Sequence, residues 1–298
     1  MRTEPLRFSV VIPTYNRKDT LRRCLASATS QDYPDCEVIV VDDASTDGTD
    51  EMVRREFPQV RYLRQETNRG PAVARNRGIQ AATGEIIAFT DDDCLVPPDF
   101  LSLLADGYRR YPEVAGVGGY LEPPEELIER NIFARYDRFV TRQIYHVSQQ
   151  EYLGGFECPA GGTHSMSYRK SILEEVGRFD KSFPFAAGED ADLKWRVCQR
   201  GLQLLYLPIR VVHLQPYNWE TFRKQQITRG RGVVHFERKY GELPGLACVL
   251  VRSLKRSLRF PLDVLRLGPG LGWVKLMAGL CDAWGQWIER ERLSVGDN

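Results

Sequence analysis

From residue 8 onward, short apolar runs that stop on polar or acidic residues alternate with stretches whose apolar positions recur at helical spacing. Phe8-Ser9-Val10-Val11-Ile12 reads as a first strand, closed by Pro13 and opening into the loop Thr14-Tyr15-Asn16-Arg17. Leu21, Cys24, Leu25 and Ala28 then mark a helix with a cap at Asp19, stopped by Asp32-Tyr33-Pro34. Residues 37–41 are the next strand, ending in Asp42-Asp43-Ala44-Ser45-Thr46-Asp47-Gly48. A helix through Met52, Val53 and Phe57, a strand at 60–63 and a helix over 71–82 lead to Glu85-Ile86-Ile87-Ala88-Phe89, a buried strand that stops at Thr90-Asp91-Asp92-Asp93-Cys94. Further on, Pro97-Pro98-Asp99 starts a helix, 114–117 reads as a strand, and residues 125–150 show helical fragments at best. Ser171 with Glu174 forms a capping box for a short helix ended by Gly177, and Glu189-Asp190-Ala191-Asp192 opens a helix with Leu193 and Val197 on one face. This alternation predicts an α/β fold with a mostly parallel, right-handed central sheet flanked by helices.

Acid at the ends of strands is where chemistry enters. Open α/β sheets place their ligands at the carboxyl ends of their strands, and both Asp42-Asp43 and Asp91-Asp92-Asp93 fall there. Alternate residues of an extended backbone point the same way, so Asp91 and Asp93 face one divalent cation while Asp92 faces elsewhere. A solvated acidic turn is the plainer alternative. No Gly-x-Gly-x-x-Gly follows the first strand, which removes the dinucleotide fingerprint. In Cys158-Pro159-Ala160-Gly161-Gly162-Thr163-His164-Ser165-Met166-Ser167-Tyr168, the two glycines either let backbone approach a ligand or make a turn.

Composition changes this picture little. The chain has 298 residues with 42% hydrophobic and 27% charged side chains, which suits a folded protein of one large domain plus an appendage. Forty-one basic against forty acidic residues give a net charge of +1 and no general field to draw in nucleic acid. Seven cysteines without a Cys-x-x-Cys pair read as core thiols, implying a reducing cytosolic setting. The stretch before the first strand is too short for a signal peptide's apolar region, and no apolar run reaches spanning length.

Taken in order, Val10-Val11-Ile12-Pro13-Thr14-Tyr15-Asn16-Arg17, Val41-Asp42-Asp43-Ala44-Ser45-Thr46-Asp47-Gly48-Thr49, Phe89-Thr90-Asp91-Asp92-Asp93 and Gly188-Glu189-Asp190 resemble the four signatures of family 2 glycosyltransferases. The likeness runs from about residue 8 to 215 and rests on order and spacing together. It implies a GT-A (Rossmann-like) fold, a nucleotide-diphosphate sugar donor, Mg²⁺ or Mn²⁺, inversion at the anomeric carbon, and a glycan or lipid-linked acceptor. Carried over by motif, Pro13, Thr14 and Tyr15 line the base and ribose, with Arg17 in the same loop. Asp43, more than Asp42, hydrogen-bonds the base. Asp91 faces ribose or metal, with Asp92 beside the donor, and Asp93 is the main metal ligand. Arg75 lies near the phosphates or donor sugar, and Asp190, next to Glu189, is the catalytic base. His213 is either a further metal ligand or a satisfied structural histidine. Lys194-Trp195-Arg196 is not the Gln-x-x-Arg-Trp box of processive synthases, so one sugar per encounter is expected. A nucleotidyltransferase should carry a Gly-rich basic loop where Pro13-Thr14-Tyr15-Asn16 stands, and a non-catalytic binding module could lose the acid at 190.

The tail has a different grammar, which divides the chain into a catalytic domain (1–240) and a C-terminal helical extension (241–298). Leu246, Val249, Leu250, Leu254, Leu258 and Pro261 fall on one helical face, with Arg252, Lys255, Arg256 and Arg259 on the other. This is a basic amphipathic pattern, expected either to meet the inner face of the cell membrane through residues 245–290 or to pack on the catalytic domain or a second copy as a homodimer. Gly268-Pro269-Gly270-Leu271-Gly272 reads as a flexible hinge.

Overall fold

A computed structural model of the chain describes residues 5–144, 146–147, 149–241 and 246–296. In chain order the elements are β1 (Phe8–Thr14), α1 (Lys18–Ala28), β2 (Cys36–Asp42), α2 (Thr49–Glu56), β3 (Arg61–Arg64), α3 (Pro71–Ala81), β4 (Ile86–Phe89), β5 (Cys94–Leu95), α4 (Phe100–Arg110) and β6 (Gly116–Glu122). Then follow α5 (Glu125–Arg130), α6 (Ile132–Phe139), a π-helical turn (Val140–Ile144), β7 (Tyr152–Gly154), β8 (Met166–Arg169), α7 (Lys170–Glu175), α8 (Glu189–Cys198), β9 (Leu204–His213), α9 (Trp219–Tyr240), α10 (Leu246–Leu267) and α11 (Pro269–Gly296).

The strands form one sheet in the order β3-β2-β1-β4-β8-β6-β9-β5, with β7 also on β9. β1 lies between β2 and β4, parallel to both. Because side chains alternate along a strand, Phe8, Val10 and Ile12 enter one core layer with Leu21, Met52 and Leu104, whereas Val11 enters the other with Ile79 and Leu193. Parallel pairing covers β3-β2-β1-β4 and β6-β9, but β8 runs antiparallel to both β4 and β6. The sheet is therefore mostly parallel by the length of its ladders, with short antiparallel pairings at β8, β5 and β7.

Local differences from the sequence reading have local causes. Helix α1 begins at Lys18, one residue before Asp19, and it is the Asp47 carboxylate that accepts from the Lys18 backbone N–H at 2.9 Å. Ser171 caps nothing, since α7 starts a residue earlier with Arg169 at its N-cap and no side-chain cap bond. The expected hinge is a tight turn between helices: Gly268 takes φ +81°, Pro269 starts α11, and a Cβ on Gly272 would stand 2.9 Å from Val264.

Two compact units emerge. The first comprises 1–122, 141–182 and 190–214 and holds the sheet; the second comprises 123–140, 183–189 and 215–298 and is helical. A single boundary at 240 does not reproduce this division, because α9 packs on α11 within the second unit. Gly230 and Gly285 permit that packing: a side chain at either would overlap backbone of the facing helix, at Asp282 and Ile227. Across the same pair, the buried Glu289 carboxylate accepts from Arg231 (2.6 Å), His235 (2.9 Å) and Arg292 (2.7 Å).

In the sheet unit, α3 lies close to β1 at Gly78, where an added Cβ would overlap Cγ1 of Val11. Helix propensity alone favours Ala over Gly by about 1 kcal/mol, while forced overpacking costs about 1–3 kcal/mol. Gly78→Ala is expected to destabilise the protein in urea unfolding. Combining it with Val11→Ala should recover part of that loss as a coupling energy; strict additivity would disprove the contact.

Candidate active site

Parallel register carries the acidic strand ends to one edge of the sheet. Thr14 pairs with Asp42 and Val11 with Phe89, so the loops after β1, β2 and β4 emerge side by side. The first two are interlocked: the Asn16 N–H donates to Ser45 Oγ at 2.8 Å, and the Thr46 N–H donates to Asn16 Oδ1 at 2.7 Å. Asn16 (φ 52°) and Ala44 (φ 69°) are both left-handed, a conformation costly for alanine and held here by these bonds.

Asp42 and Asp43 do different work. Asp42 is fully buried and accepts from the Ser45 N–H (2.8 Å), Arg64 (3.2 Å) and the Tyr62 hydroxyl. Burial, then the bond to Asp42, pushes the Tyr62 hydroxyl above its ordinary value. Asp43 accepts from Gln65 (2.5 Å) and from the Arg69 and Gly70 backbone N–H groups (2.9 and 2.7 Å), the latter at the entrance to α3. Three of its roughly four acceptor positions are thereby used.

Within the acidic tripeptide Asp91 has a partner of its own, while Asp92 and Asp93 share one. Asp91, partly exposed, accepts from the buried Arg75 at 2.9 Å, and the Arg75 guanidinium lies 5.6 Å from the Phe179 ring centre. Asp92 is buried and accepts from Thr14 (2.8 Å) and Arg17 (3.1 Å). Asp93 accepts from Arg17 (2.5 Å) and lies 3.4 Å from Nε2 of His213. The last contact follows from register: β5 runs antiparallel to β9 with Cys94 opposite His213, and the Leu214 N–H donates to the Asp93 carbonyl at 2.7 Å. Asp92 does not simply turn away from its neighbour, because one guanidinium bridges Asp92 and Asp93.

Burial drives the two neighbours apart. Desolvation raises Asp92 to about 7 against the opposing charge of Arg17. Desolvation also acts on Asp93, but the hydrogen bond and charge of His213, joined by Arg17, outweigh it and hold that carboxyl well below the usual range.

His164 is a residue the sequence reading did not single out. It lies within electrostatic reach of Asp91, Asp190, His213 and Asp93, and burial pulls its imidazole below the ordinary value. Its position after Gly161-Gly162 was the available signal. The Gly161 φ of +143° favours glycine, and a Cβ there would stand 2.7 Å from Lys194 Cδ. Lys194 donates to the Cys158 carbonyl at 2.5 Å, and desolvation lowers its ammonium. Asp190 is partly exposed at the start of α8, one oxygen accepting from the Ala191 N–H at 2.8 Å. Glu189 is buried and belongs to the second unit. Pro13 is half-buried, whereas Tyr15 and Arg17 are exposed at the open end of the β1 loop.

Asp43→Asn replaces one carboxylate oxygen with an NH₂ that meets an N–H donor. The expected result is a loss of about 1–3 kcal/mol in unfolding free energy. Unchanged stability would show that Asp43 does not hold the entrance to α3.

The comparisons with known proteins agree on the family. The model of Glycosyl transferase family 2 matches residues 9–177, more than half of the chain. Glycosyltransferase AglE of Haloferax volcanii is 28% identical over 214 residues, covering 66% of this chain; the chain spans 63% of that relative's length. A GalNAc(5)-diNAcBac-PP-undecaprenol beta-1,3-glucosyltransferase of Campylobacter jejuni is 27% identical over 258 residues, 84% of this chain and 76% of the relative. Among solved structures, the mannosyltransferase PcManGT from Pyrobaculum calidifontis, in complex with GDP-Man and Mn²⁺, superposes with a TM-score of 0.66 at 23% identity over 94% of this chain and 86% of its own. The fold is GT-A, and the chain belongs to glycosyl transferase family 2.

Proposed function

We propose that the protein transfers one sugar at a time from a nucleoside-diphosphate sugar to a hydroxyl of a lipid-linked or envelope glycan, with inversion at the anomeric carbon. The transfer would take place at the inner face of the cell membrane. The observation that carries this reading is the meeting of Asp93 with His213, and of Arg75 with Asp91, at the carboxyl ends of the strands, with His164 in electrostatic reach of both acids and of Asp190. The Campylobacter relative is named as a glucosyltransferase acting on an undecaprenol-diphosphate-linked glycan, which supports a lipid-linked acceptor. The Pyrobaculum structure was solved with a GDP-sugar and Mn²⁺, which supports the donor class and a cation.

The residues present fit Mg²⁺ or Mn²⁺ in part. Carboxylate oxygens suit these ions and an imidazole suits them less well, and no group of three or more potential ligands stands ready among the described residues. Two protein donors are enough when diphosphate oxygens complete the shell, as is usual for Mg²⁺. Asp93 and His213 would hold the ion, with Asp91 the further carboxylate, and Arg17 would then release Asp93. Bound there, the ion would offset charge building on the leaving diphosphate.

The chain's own groups divide the remaining work. Arg75 is fixed by Asp91 and the Phe179 ring, so its charge is preorganised toward the donor phosphates without a reorganisation cost during reaction. Thr14, Tyr15 and the last acceptor position of Asp43 would receive base and ribose. Asp190 would accept the proton of the attacking hydroxyl, with its rotamer fixed by the Ala191 N–H. Attack from the face opposite the diphosphate inverts the anomeric centre in a single displacement.

Asp93→Asn should abolish release of nucleoside diphosphate and weaken Mn²⁺ binding measured by electron paramagnetic resonance. Full activity in that variant, or after thorough chelation, would overturn the metal assignment. Asp190→Asn is expected to lose about 10²- to 10⁴-fold in rate, on whichever UDP-, GDP- or dTDP-sugar the wild type turns over, while binding that donor unchanged. Proton NMR of the wild-type product should show the inverted anomer; a retained configuration excludes single displacement.

A further inference from the structure

The face of α10 that the structure leaves uncovered includes Leu254 and Leu258 of the apolar face read from the sequence and extends from there to Val251, Leu262 and Leu265. Val251, Leu254, Leu258, Leu262 and Leu265 are 49%, 60%, 70%, 54% and 81% exposed. Their spacing of three or four residues puts them in one stripe about four turns long. Facing inward within the helical unit are other positions: Asp263 is paired with Lys275 at 2.7 Å, and Val264 packs against Gly272. The leucine stripe is therefore left over after α10 has packed on α11.

Charge is placed along one edge of that stripe. At about 100° per residue, Lys255, Arg259 and Arg266 fall roughly 40° to 80° around the helix from Val251, directly beside the leucines rather than opposite them. All three are exposed. Between residues 245 and 281 there are six basic residues and one acid, in a chain whose net charge is +1. No helix among the described residues is long and apolar enough to cross a membrane. An apolar ridge flanked by long basic side chains is the geometry of a helix lying in the membrane plane, with leucines among the acyl chains and ammonium or guanidinium groups reaching the phosphates.

We propose that the Val251–Leu265 ridge of α10 docks the protein on anionic phospholipid, with Lys255, Arg259 and Arg266 selecting the negative headgroups. A second copy of the chain is the competing occupant, and charge argues against it. An antiparallel two-fold contact through the ridge would set the same patch against itself and bring the like-charged rows together. The docking deepens the reading of a lipid-linked acceptor, but it involves no donor, acceptor or active-site group.

The test is co-sedimentation of the full chain with phosphatidylcholine vesicles and with vesicles containing about one-third phosphatidylglycerol, a composition whose surface charge attracts basic segments. Wild type should bind the anionic vesicles and lose binding as salt rises. Leu258→Glu with Leu265→Glu should cut binding by about tenfold or more, because charge replaces the inserted side chains, and Lys255→Gln with Arg259→Gln should remove the preference for anionic lipid. All these side chains are exposed, so the variants should keep wild-type melting temperature and nucleoside diphosphate release with a soluble acceptor. Equal binding by wild type and the leucine pair, or none by wild type, overturns the proposal. A change from dimer to monomer in that pair by sedimentation velocity, with vesicle binding unaltered, assigns the ridge to a second copy instead. Since vesicle binding is scored without sugar nucleotide, its failure is separable from failure of the transferase reading.

Discussion

The constraint on which the site depends is the register of β1 between β2 and β4. It is fixed at the end remote from the site. Ser9 Oγ donates to Glu37 at 2.6 Å and accepts from the Gly84 N–H at 2.8 Å, and Gly84 lies so close that a Cβ would meet Phe8 and Ser9 backbone at 2.7 Å. A slip of one residue would turn Val10 and Ile12 out of one core layer and Val11 out of the other. The same slip would separate Thr14 from Asp92 and the Asn16 loop from Ser45. The site thus inherits its geometry from apolar packing and from a polar anchor at the opposite end of β1.

Burying two carboxylates beside a third that is partly exposed requires compensation, and the structure supplies it unequally. Arg17 bridges Asp92 and Asp93, Arg75 meets Asp91, and His213 reaches Asp93 alone. Adjacent carboxyls in one desolvated setting consequently diverge, Asp92 toward neutrality and Asp93 toward the charged form. Only the second is suited to face a cation. Arg17 reaches the pair from the exposed loop after β1.

Strands that end on acid were legible because two local signals coincide there, a β-branched apolar run and its abrupt polar stop. The placement of Asp42, Asp43, Asp91 and Asp93 at one sheet edge follows from those signals and the rule for parallel sheets. Their partners were not legible. Tyr62, Gln65, Arg69 and His213 arrive from other elements, and nothing in the spacing of residues around Asp43 indicates that it closes the entrance to α3. Antiparallel β8 was hidden for a similar reason: Met166–Arg169 follows a Gly-rich turn and alternates weakly, so only pairing with β4 and β6 makes it a strand. His164 escaped because its neighbours are brought to it by that pairing.

The helical unit shows the opposite relation of pattern to packing. Its inner contact, α9 against α11, is made by glycines that admit backbone and by the Glu289 cluster, features with little hydrophobic periodicity. Strong periodicity belongs instead to α10, where apolar residues occupy more of the circumference than a single neighbouring helix can cover. Packing on α11 uses the side bearing Val264 and leaves the leucines of the other side in water. Burial would remove that cost, and exposed apolar surface of this extent on an otherwise well-packed unit marks a contact rather than a flaw in the fold. A sequence pattern read for its apolar face alone does not separate the packed side of α10 from the exposed one, because the side that matters for a partner is what intramolecular packing declines to use.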